Sequence, residues 1–212
     1  MRYDKVFAVG GSIYTSKLGK TPEIAEALNQ HSPVCVVVGA GELKKNINAV
    51  KASEGDKDLI GIQATRLNAR TLGTQMESHP KIPETAEEVK EVAKTEESIV
   101  MGGLNPGFST DAVAAIAAEL LDAELYIVTD IDGVYTDNPE KAGAEKLDEI
   151  SVPQIKQIIS GKSSDAGSYE LIDRTALNII ERSEIPAKVM KGTVENLENP
   201  EEATGTEIIH EP

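Results

Sequence analysis

Tryptophan is absent from this sequence, and aromatic residues supply only 3% of its 212 residues. The hydrophobic fraction is nevertheless 40%, so we expect a core built mainly from aliphatic side chains. The single cysteine, Cys35, excludes a disulfide within the chain and is expected in a buried strand. The three histidines are isolated in sequence, so no Cys/His cluster of the zinc-binding kind occurs and no resident metal site is expected.

Long hydrophobic runs are also missing. No segment reaches the roughly 20 apolar residues of a membrane span, and the opening residues, MRYDKVFAVGG, lack the apolar region of a secretory signal. We therefore expect a cytoplasmic protein without membrane association. The net charge of −15 argues against nonspecific binding to nucleic acid, which depends on Lys and Arg. An anionic ligand would need local positive potential from lysines, backbone NH groups and helix N-termini.

Short apolar runs alternate along the chain with segments of helical spacing. Strands are predicted over residues 6–9, 34–38, 98–101, 125–128 and 187–190. Helices are predicted from Thr21 onward and over residues 59–76, 84–94, 110–121, 151–159 and 170–181. Residues 143–145 and 161–167 are predicted to be loops. This alternation is typical of an α/β fold with helices on both faces of a mainly parallel sheet.

Four predicted strands run into loops with unusual residues. These loops are GGS at 10–12, GAG at 39–41 ahead of Lys44 and Lys45, GGLNPGFSTDA at 102–112, and VTDIDGVYTDNP at 128–139. In open α/β sheets, ligands bind outside the carboxyl ends of the strands. Glycine lets backbone NH groups approach phosphate oxygens. One such loop alone is usually just a turn, but four at one sheet edge predict a ligand site.

Several familiar motifs do not fit. The sequences around GKT at 19–21 and GKS at 161–163 lack the earlier glycine of a P-loop, because Tyr14 and Lys156 occupy those positions. GAGELK at 39–44 lacks the third glycine of the dinucleotide fingerprint. The aspartates of 130–132 do not follow the calcium-loop spacing, so a structural calcium ion is not predicted there.

Taken together, the motifs resemble the amino-acid kinase superfamily. The residues that carry the resemblance are GGS at 10–12, VVVGAG at 36–41, GGLNPGFSTDAVAA at 102–115 and VTDIDGVYTDNP at 128–139. The archaeal-type UMP kinases are most similar, through KDLIGIQATRLNAR at 57–70, DAGSYELIDRTALNIIERSEI at 165–185 and the ending GTEIIHEP. The resemblance runs essentially from end to end.

This resemblance implies a three-layer αβα sandwich around a mainly parallel central sheet. It implies one domain over 1–212, with an acceptor-binding lobe over 1–123 and an ATP-binding lobe over 124–212. The implied reaction transfers the γ-phosphoryl group of ATP to UMP, with Mg²⁺ bound along with the nucleotide. A symmetric homo-oligomer, a hexamer in this family, is also implied.

On the acceptor side, the resemblance assigns UMP contacts to one loop and two single residues. The loop comprises Gly103, Leu104, Asn105, Pro106, Gly107, Phe108 and Ser109. Ala40 is expected near the UMP phosphate, where the family usually has glycine, and Asp58 is expected to accept from the ribose hydroxyls. From composition alone, Asp58 equally fits a solvated aspartate at a helix end, and Ser109–Asp111 equally fits a helix cap.

On the donor side, the resemblance assigns ATP contacts to two groups of residues. Gly11, Ser12, Gly41 and Lys45 are expected at the phosphates, with Lys45 replacing the family's usual arginine. Thr129, Asp130, Tyr135 and Asn138 are expected at the adenosine. The family usually has asparagine at 130 and aspartate at 138, so this chain carries the two residues exchanged.

The expected catalytic residues are Asp111, Lys17 and Lys45. Asp111 matches the family's buried acid that orients cationic groups at the phosphoryl centre. Many members carry a lysine two residues before the first glycine of GGS, but that position is Ala8 here. The transition-state cation is therefore open among Lys17, Lys45 and Lys146, with Lys17 the first choice. An exposed loop lysine is an equally good reading of Lys17.

Three functions remain open at this level. The first is UMP kinase, and the second is a superfamily kinase with another acceptor, such as isopentenyl phosphate, acetylglutamate or carbamate. Those acceptors have no uracil and ribose to be recognised, so Asp58 and the 103–109 loop discriminate between the two. The third is a nonenzymatic nucleotide or oxyanion binder on the same fold.

Overall fold

The computed structural model describes residues 3–11, 13, 20–160 and 172–210. Its strands are β1 (Lys5–Val9), β2 (Cys35–Val38), β3 (Ile99–Met101), β4 (Glu124–Thr129), β5 (Val134–Tyr135), β6 (Lys146–Leu147), β7 (Glu149–Ser151), β8 (Ala187–Lys191) and β9 (Gly205–Ile209). Its helices are α1 (Thr21–Asn29), α2 (Leu43–Asn48), α3 (Glu54–Gly73), α4 (Ala86–Ala93), α5 (Thr110–Leu121), α6 (Val152–Ser160), α7 (Arg174–Arg182) and α8 (Val194–Glu198). Ser12, Lys17 and the loop predicted at 161–167 lie outside the described residues.

Seven of these strands form one sheet in the order β3-β2-β1-β4-β8-β9-β7. The five strands from β3 to β8 pair in parallel. Strand β9 pairs antiparallel with β8, and β7 pairs parallel with β9. Strands β5 and β6 form a separate antiparallel pair. The predicted mainly parallel sheet is therefore confirmed.

Hydrophobic clusters cover both faces of the sheet, as the side chains of β1 illustrate. Successive residues of a strand point to opposite faces. Val6 and Ala8 belong to the cluster formed with α4, α5, α6 and α7, whereas Phe7 and Val9 belong to the cluster formed with α1, α3 and α8. The clusters are largely aliphatic, and Cys35 is buried. This arrangement confirms the three-layer αβα sandwich.

Side-chain caps explain where the helices begin. Helix α5 covers the predicted 110–121, because Ser109 caps its first turn and Asp122 ends it with a left-handed φ of 55°. Helix α3 begins at Glu54, five residues before the prediction, because the Ser53 hydroxyl accepts from the Asp56 amide. Helix α7 begins at Arg174 because the Asp173 carboxylate accepts from the first-turn amides.

The elements that escaped prediction are the β5–β6 pair, β7, β9 and α8, most of which are very short. Strands of two or three residues are too short to show a period of two. Strand β9 does alternate, with Thr206 and Ile208 buried between exposed neighbours. Helix α4, although rich in acidic residues, buries Val89 and Val92 on one face. Within the described ranges, no helix is long and apolar enough to span a membrane.

Thr206 offers a test of how the β5–β6 pair is attached to the sheet. Its buried hydroxyl accepts from the Val134 amide at 2.7 Å and donates to the Leu147 carbonyl at 2.5 Å. Thr206→Val removes both bonds without changing the volume, so we expect the free energy of unfolding to fall by roughly 2–4 kcal/mol. Urea unfolding measures this change. The exposed Thr204 is the control, and Thr204→Val is expected to change stability by less than about 0.5 kcal/mol. Equal losses in the two variants would contradict the attachment.

Candidate active site

The loops that follow β1 and β2 contact each other at the carboxyl edge of the sheet. The Gly10 amide donates to the Val128 carbonyl at 3.0 Å, and the Gly39 amide donates to the Val9 carbonyl at 3.0 Å. A Cβ on Gly11 would collide with the backbone nitrogen of Gly41. Gly41 itself has a left-handed φ of 63°. Only glycine at these positions allows the two loops to approach so closely, which leaves a backbone-lined surface suited to an anion.

A cavity of about 600 Å³ opens beside these loops. Several sequence-predicted residues line it, namely Ala40, Asp58, Gly103, Asn105, Gly107, Phe108, Ser109, Asp111 and Thr129. The other predicted residues that the structure describes lie outside its lining, namely Gly11, Gly41, Lys45, Leu104, Pro106, Asp130, Tyr135 and Asn138. Leu104 instead packs into the hydrophobic core. Seven of these nine lining residues were predicted for the acceptor side, and the exceptions are Asp111 and Thr129.

Helix α3 holds the 103–109 loop in place through its polar side chains. The Asp58 carboxylate accepts from the Gly107 amide at 2.8 Å, and the Thr65 hydroxyl accepts from the Gly103 amide at 2.7 Å. The Arg66 guanidinium donates to the Gly103 carbonyl at 3.2 Å. Asp58 therefore anchors the loop through one of its two oxygens, a role that its assignment to a ligand did not include.

The same helix also holds the second glycine loop. The buried Asn68 amide group donates to the Gly39 carbonyl at 2.8 Å. Thr65, Arg66 and Asn68 were missed as site-forming residues by the sequence analysis. The sequence did contain a signal for two of them. Thr65 and Asn68 follow Asp58 by seven and ten positions, which is the spacing of residues on the same side of a helix.

Asp111 lies in the first turn of α5, where its side chain is partly buried and lines the cavity. Burial raises the pKa of its carboxyl to about 7. The carboxylate of Asp173 adds to that increase in pKa, and the Lys44 ammonium opposes it. Asp111 therefore changes charge near neutral pH, which is typical of groups at functional sites.

Ser109 connects the start of α5 to the start of α7. Its hydroxyl accepts from the Ala112 amide at 3.0 Å and donates to the Asp173 carboxylate. Asp173 was not singled out from the sequence. Ser109 and Asp173 are 64 positions apart along the chain, so no local pattern joins them.

Lys44, rather than Lys45, lines the cavity. Both lysines are exposed on α2, and Lys45, predicted at the phosphates, lies outside the cavity lining. Ile47, three residues after Lys44, also lines the cavity, as expected for residues on one helical face. Lys146, the other cation considered, lies 3.8 Å from the Asp132 carboxylate.

The stretch after β4 is held largely by its own side chains. The Tyr135 hydroxyl donates to Asp132 at 2.8 Å, and this hydrogen bond lowers the pKa of the Asp132 carboxyl. The Thr129 hydroxyl donates to the Asp130 carboxylate at 3.1 Å. The Asn138 side chain accepts from the Glu140 amide at 3.0 Å within its own turn. The end of β4, with Val128 and Thr129, lines the cavity, whereas Asp130, Tyr135 and Asn138 lie outside its lining.

A second cavity, of about 550 Å³, lies at the opposite edge of the sheet. Its lining includes six acidic residues: Asp4, Glu119, Asp122, Glu124, Glu184 and Glu201. The one lysine in its lining, Lys5, pairs with Glu201 at 2.7 Å. This concentration of negative charge is unfavourable for an anionic ligand, so the cavity beside the glycine loops is the better candidate for one.

Comparison with known proteins places this geometry in a family. The sequence pattern of the amino acid kinase family matches residues 5–191. A uridylate kinase from Archaeoglobus fulgidus is 41% identical over 202 residues, covering 91% of this chain and 92% of that protein. A uridylate kinase from Methanothrix thermoacetophila is 38% identical over 218 residues, covering 96% of this chain and 98% of that protein.

Solved structures give the same result. The crystal structure of uridylate kinase from Archaeoglobus fulgidus superposes with a TM-score of 0.86 at 38% identity, covering 97% of this chain and 99% of that one. Aspartate kinase from Synechocystis superposes with a TM-score of 0.70 at 14% identity, covering 98% of this chain and 40% of that one, and so shares the fold. The chain belongs to the amino acid kinase family.

Proposed function

We propose that this chain is a UMP kinase, which transfers the γ-phosphoryl group of ATP to UMP and forms ADP and UDP. The observation that carries the proposal is the cavity in which glycine backbone meets the acceptor-side loop and helix α3. The relatives named uridylate kinase match this chain at 34–41% identity over most of its length.

UMP is proposed to bind between α3 and the 103–109 loop. Its phosphate would lie against the loop that contains Ala40, which lines the cavity and is followed by Gly41 with its left-handed backbone. A ribose hydroxyl would donate to Asp58, whose other carboxylate oxygen already holds the Gly107 amide. The loop from Gly103 to Ser109 would enclose the nucleoside.

ATP is proposed to bind on the β4 side of the same edge. Gly11, Ser12 and Gly41 would contact its phosphates through backbone NH groups, and Lys45 would approach them from α2. The close approach of Gly11 to Gly41 fits this role, because it leaves a surface of backbone without side chains. The residues Thr129, Asp130, Tyr135 and Asn138 would contact the adenosine.

Mg²⁺ is proposed to bind together with ATP and to neutralise phosphate charge. Among the residues that the structure describes, no group of three or more His, Cys, Asp or Glu side chains could hold a metal ion on its own. The phosphates of ATP would therefore supply most of the Mg²⁺ ligands, as is usual for this ion in nucleotide complexes.

The chain's own contribution to catalysis is positioning and electrostatics. A UMP phosphate oxygen is already an anionic nucleophile, so no general base is needed. Backbone NH groups at the glycine loops and nearby lysines would stabilise charge on the transferring group. Asp111, when ionised, would orient those cations. Lys44 joins Lys17 and Lys45 as a candidate, because it lines the cavity and its charge acts on Asp111.

The remaining expectations belong to this proposal as well. The acceptor-binding lobe would comprise 1–123 and the ATP-binding lobe 124–212 of a single domain. The protein would assemble as a symmetric homo-oligomer, a hexamer, and would work in the cytoplasm on nucleotides rather than on nucleic acid.

A panel of acceptors tests the proposed function. Purified protein with Mg-ATP is offered UMP, CMP, isopentenyl phosphate or acetylglutamate while ADP release is followed. We expect turnover with UMP at least about tenfold above that with isopentenyl phosphate or acetylglutamate, because a site that hydrogen-bonds ribose and base rejects acceptors without them. We expect the same preference over CMP, whose 4-amino group and N3 reverse the hydrogen-bonding pattern of uracil. ATP alone is the control for hydrolysis. Preference for another acceptor, or ADP release with none of the four, would contradict the proposal.

Asp111→Asn tests the assigned role of the buried acid. We expect kcat for UMP to fall about 100-fold while UMP affinity changes less than about threefold, because the variant loses the charge that orients cations. Asp122→Asn, at the exposed end of the same helix, is the control. Full activity of Asp111→Asn would show that Asp111 serves only as part of the helix start.

The stability of Asp111→Asn relative to the wild type should increase as pH rises. The folded-state pKa of Asp111, about 7, lies above its unfolded value, so its stabilising contribution is complete below about pH 4 and is lost as pH rises through 7. At pH 8, Asp111→Asn is therefore expected to be more stable than the wild type by roughly 2–4 kcal/mol. The difference should shrink towards pH 5 in urea unfolding. If Asp111→Asn were less stable than the wild type at pH 8, the claim that ionisation of Asp111 destabilises the folded protein would be contradicted.

A further inference from the structure

Asp173 makes two separate sets of hydrogen bonds at the start of α7. One carboxylate oxygen accepts from the amides of Thr175 and Ala176, at 2.6 and 3.0 Å, and so caps its own helix. The other oxygen accepts from the Ser109 hydroxyl. Because a cap needs only the first set of bonds, the bond to Ser109 is additional to the helix start.

Ser109 is in turn the cap of α5. Its hydroxyl accepts from the Ala112 amide and donates to Asp173. A continuous chain of hydrogen bonds therefore joins the first turn of α5 to the first turn of α7. We call the Ser109–Asp173 contact the cap bridge. It fixes the last residue of the 103–109 loop and the helical turn that carries Asp111.

The charge on Asp173 is not required for capping. Asparagine and serine cap helices as well as aspartate does. The charge also has a cost, since Asp111 is two residues beyond Ser109 and the Asp173 carboxylate disfavours its ionisation. The charged groups that act on Asp111 are Asp173 from the start of α7 and Lys44 from α2. An acid at 173 therefore concentrates negative charge where cations are proposed to gather.

The cap bridge also crosses the proposed lobes. Helix α5 belongs to the acceptor side, α7 belongs to the ATP side, and the two helices pack against each other in one hydrophobic cluster that includes Ala115, Ala118 and Leu177. Packing between small alanine side chains lets the two helices approach closely, but it does not fix the position of one helix along the axis of the other. The hydrogen bond from Ser109 to Asp173 does fix it, at the helix ends nearest the cavity.

We infer that Asp173 is a positioning residue for phosphoryl transfer, which acts through the cap bridge to hold Asp111 and the end of the 103–109 loop between the two proposed lobes. This inference rests on the proposed UMP kinase function. Asp173 acts on the reaction through Asp111 and Ser109 and is not itself assigned to a substrate.

Asp173→Asn separates charge from capping. Asparagine retains the helix cap but removes the negative charge and the charged acceptor for Ser109. We expect kcat for UMP to fall about 10-fold to 100-fold with the KM for UMP within about threefold. We also expect the titration midpoint of the Asp111 carboxyl, followed by ¹³C NMR on the protein without nucleotide, to move to lower pH by about half a unit or more, because a like charge has gone.

Two further variants control for stability. Thr85 caps α4, and Thr85→Ala is expected to lower the melting temperature without changing kcat or the Asp111 midpoint. Ser109→Ala removes the bridge but leaves the Asp173 charge, so it should lower kcat with a smaller change in the midpoint. Asp173→Asn with wild-type kcat and an unchanged midpoint would overturn the inference. So would a loss of activity in Thr85→Ala equal to that in Asp173→Asn.

The two proposals fail in different ways. A wild-type protein that does not phosphorylate UMP overturns the proposed function, and with it the catalytic role of Asp173. If the wild type does phosphorylate UMP but Asp173→Asn is unaffected, only the role of Asp173 is overturned. The NMR titration needs no substrate, so it reports on the coupling of Asp173 to Asp111 in either case.

Discussion

Parallel pairing of β1 with both β2 and β4 is the constraint on which the rest of the site depends. Val9 pairs with Val38 on one side and with Val128 on the other, so the three strands end at one level. Their following loops must therefore meet at one edge, where the close contact of Gly11 with Gly41 requires residues without side chains. Helix α3 then fixes the 103–109 loop and the Gly39 carbonyl against this edge. The cavity is a consequence of that strand register.

Electrostatics distinguishes this edge from the rest of a strongly acidic molecule. With a net charge of −15, most of the surface repels phosphate, and the cavity at the opposite edge is lined by six acids. The lining of the candidate active site is less acidic, with Lys44 and Lys57 beside Glu54, Asp58 and Asp111, and glycine backbone adjoins it. The partly buried carboxyl of Asp111 is held near its ionisation point by burial, Asp173 and Lys44 acting together. Stability is lost at this carboxyl above neutral pH, as is common where a site is built for binding charge.

The sequence was sufficient for the five parallel strands β1, β2, β3, β4 and β8 and for the convergence of loops, because these strands are mostly apolar runs. It did not reveal β7 and β9 at the other end of the sheet. It was also sufficient for α5, whose Ser109 cap is a local signal. It was insufficient where contacts join distant segments: the cap bridge spans 64 positions, and no local pattern reports it. The choice between Lys44 and Lys45 needed the orientation of α2, which a six-residue helix does not reveal by periodicity. The roles of Asp130 and Asn138 came from resemblance alone, and in the structure each contacts its own turn.

The central claim is that one sheet edge holds both nucleotides with their phosphates at the glycine loops. A crystal structure with UMP and a nonhydrolysable ATP analogue bound together tests it most directly. We predict UMP between α3 and the 103–109 loop, with its phosphate at residues 39–41, and the terminal phosphate of the analogue beside Gly11. The two phosphates should lie close enough for in-line transfer, with reacting atoms about 3–3.5 Å apart. UMP bound in the acidic cavity at the opposite edge, or on the outer surface of the sheet, would contradict the account.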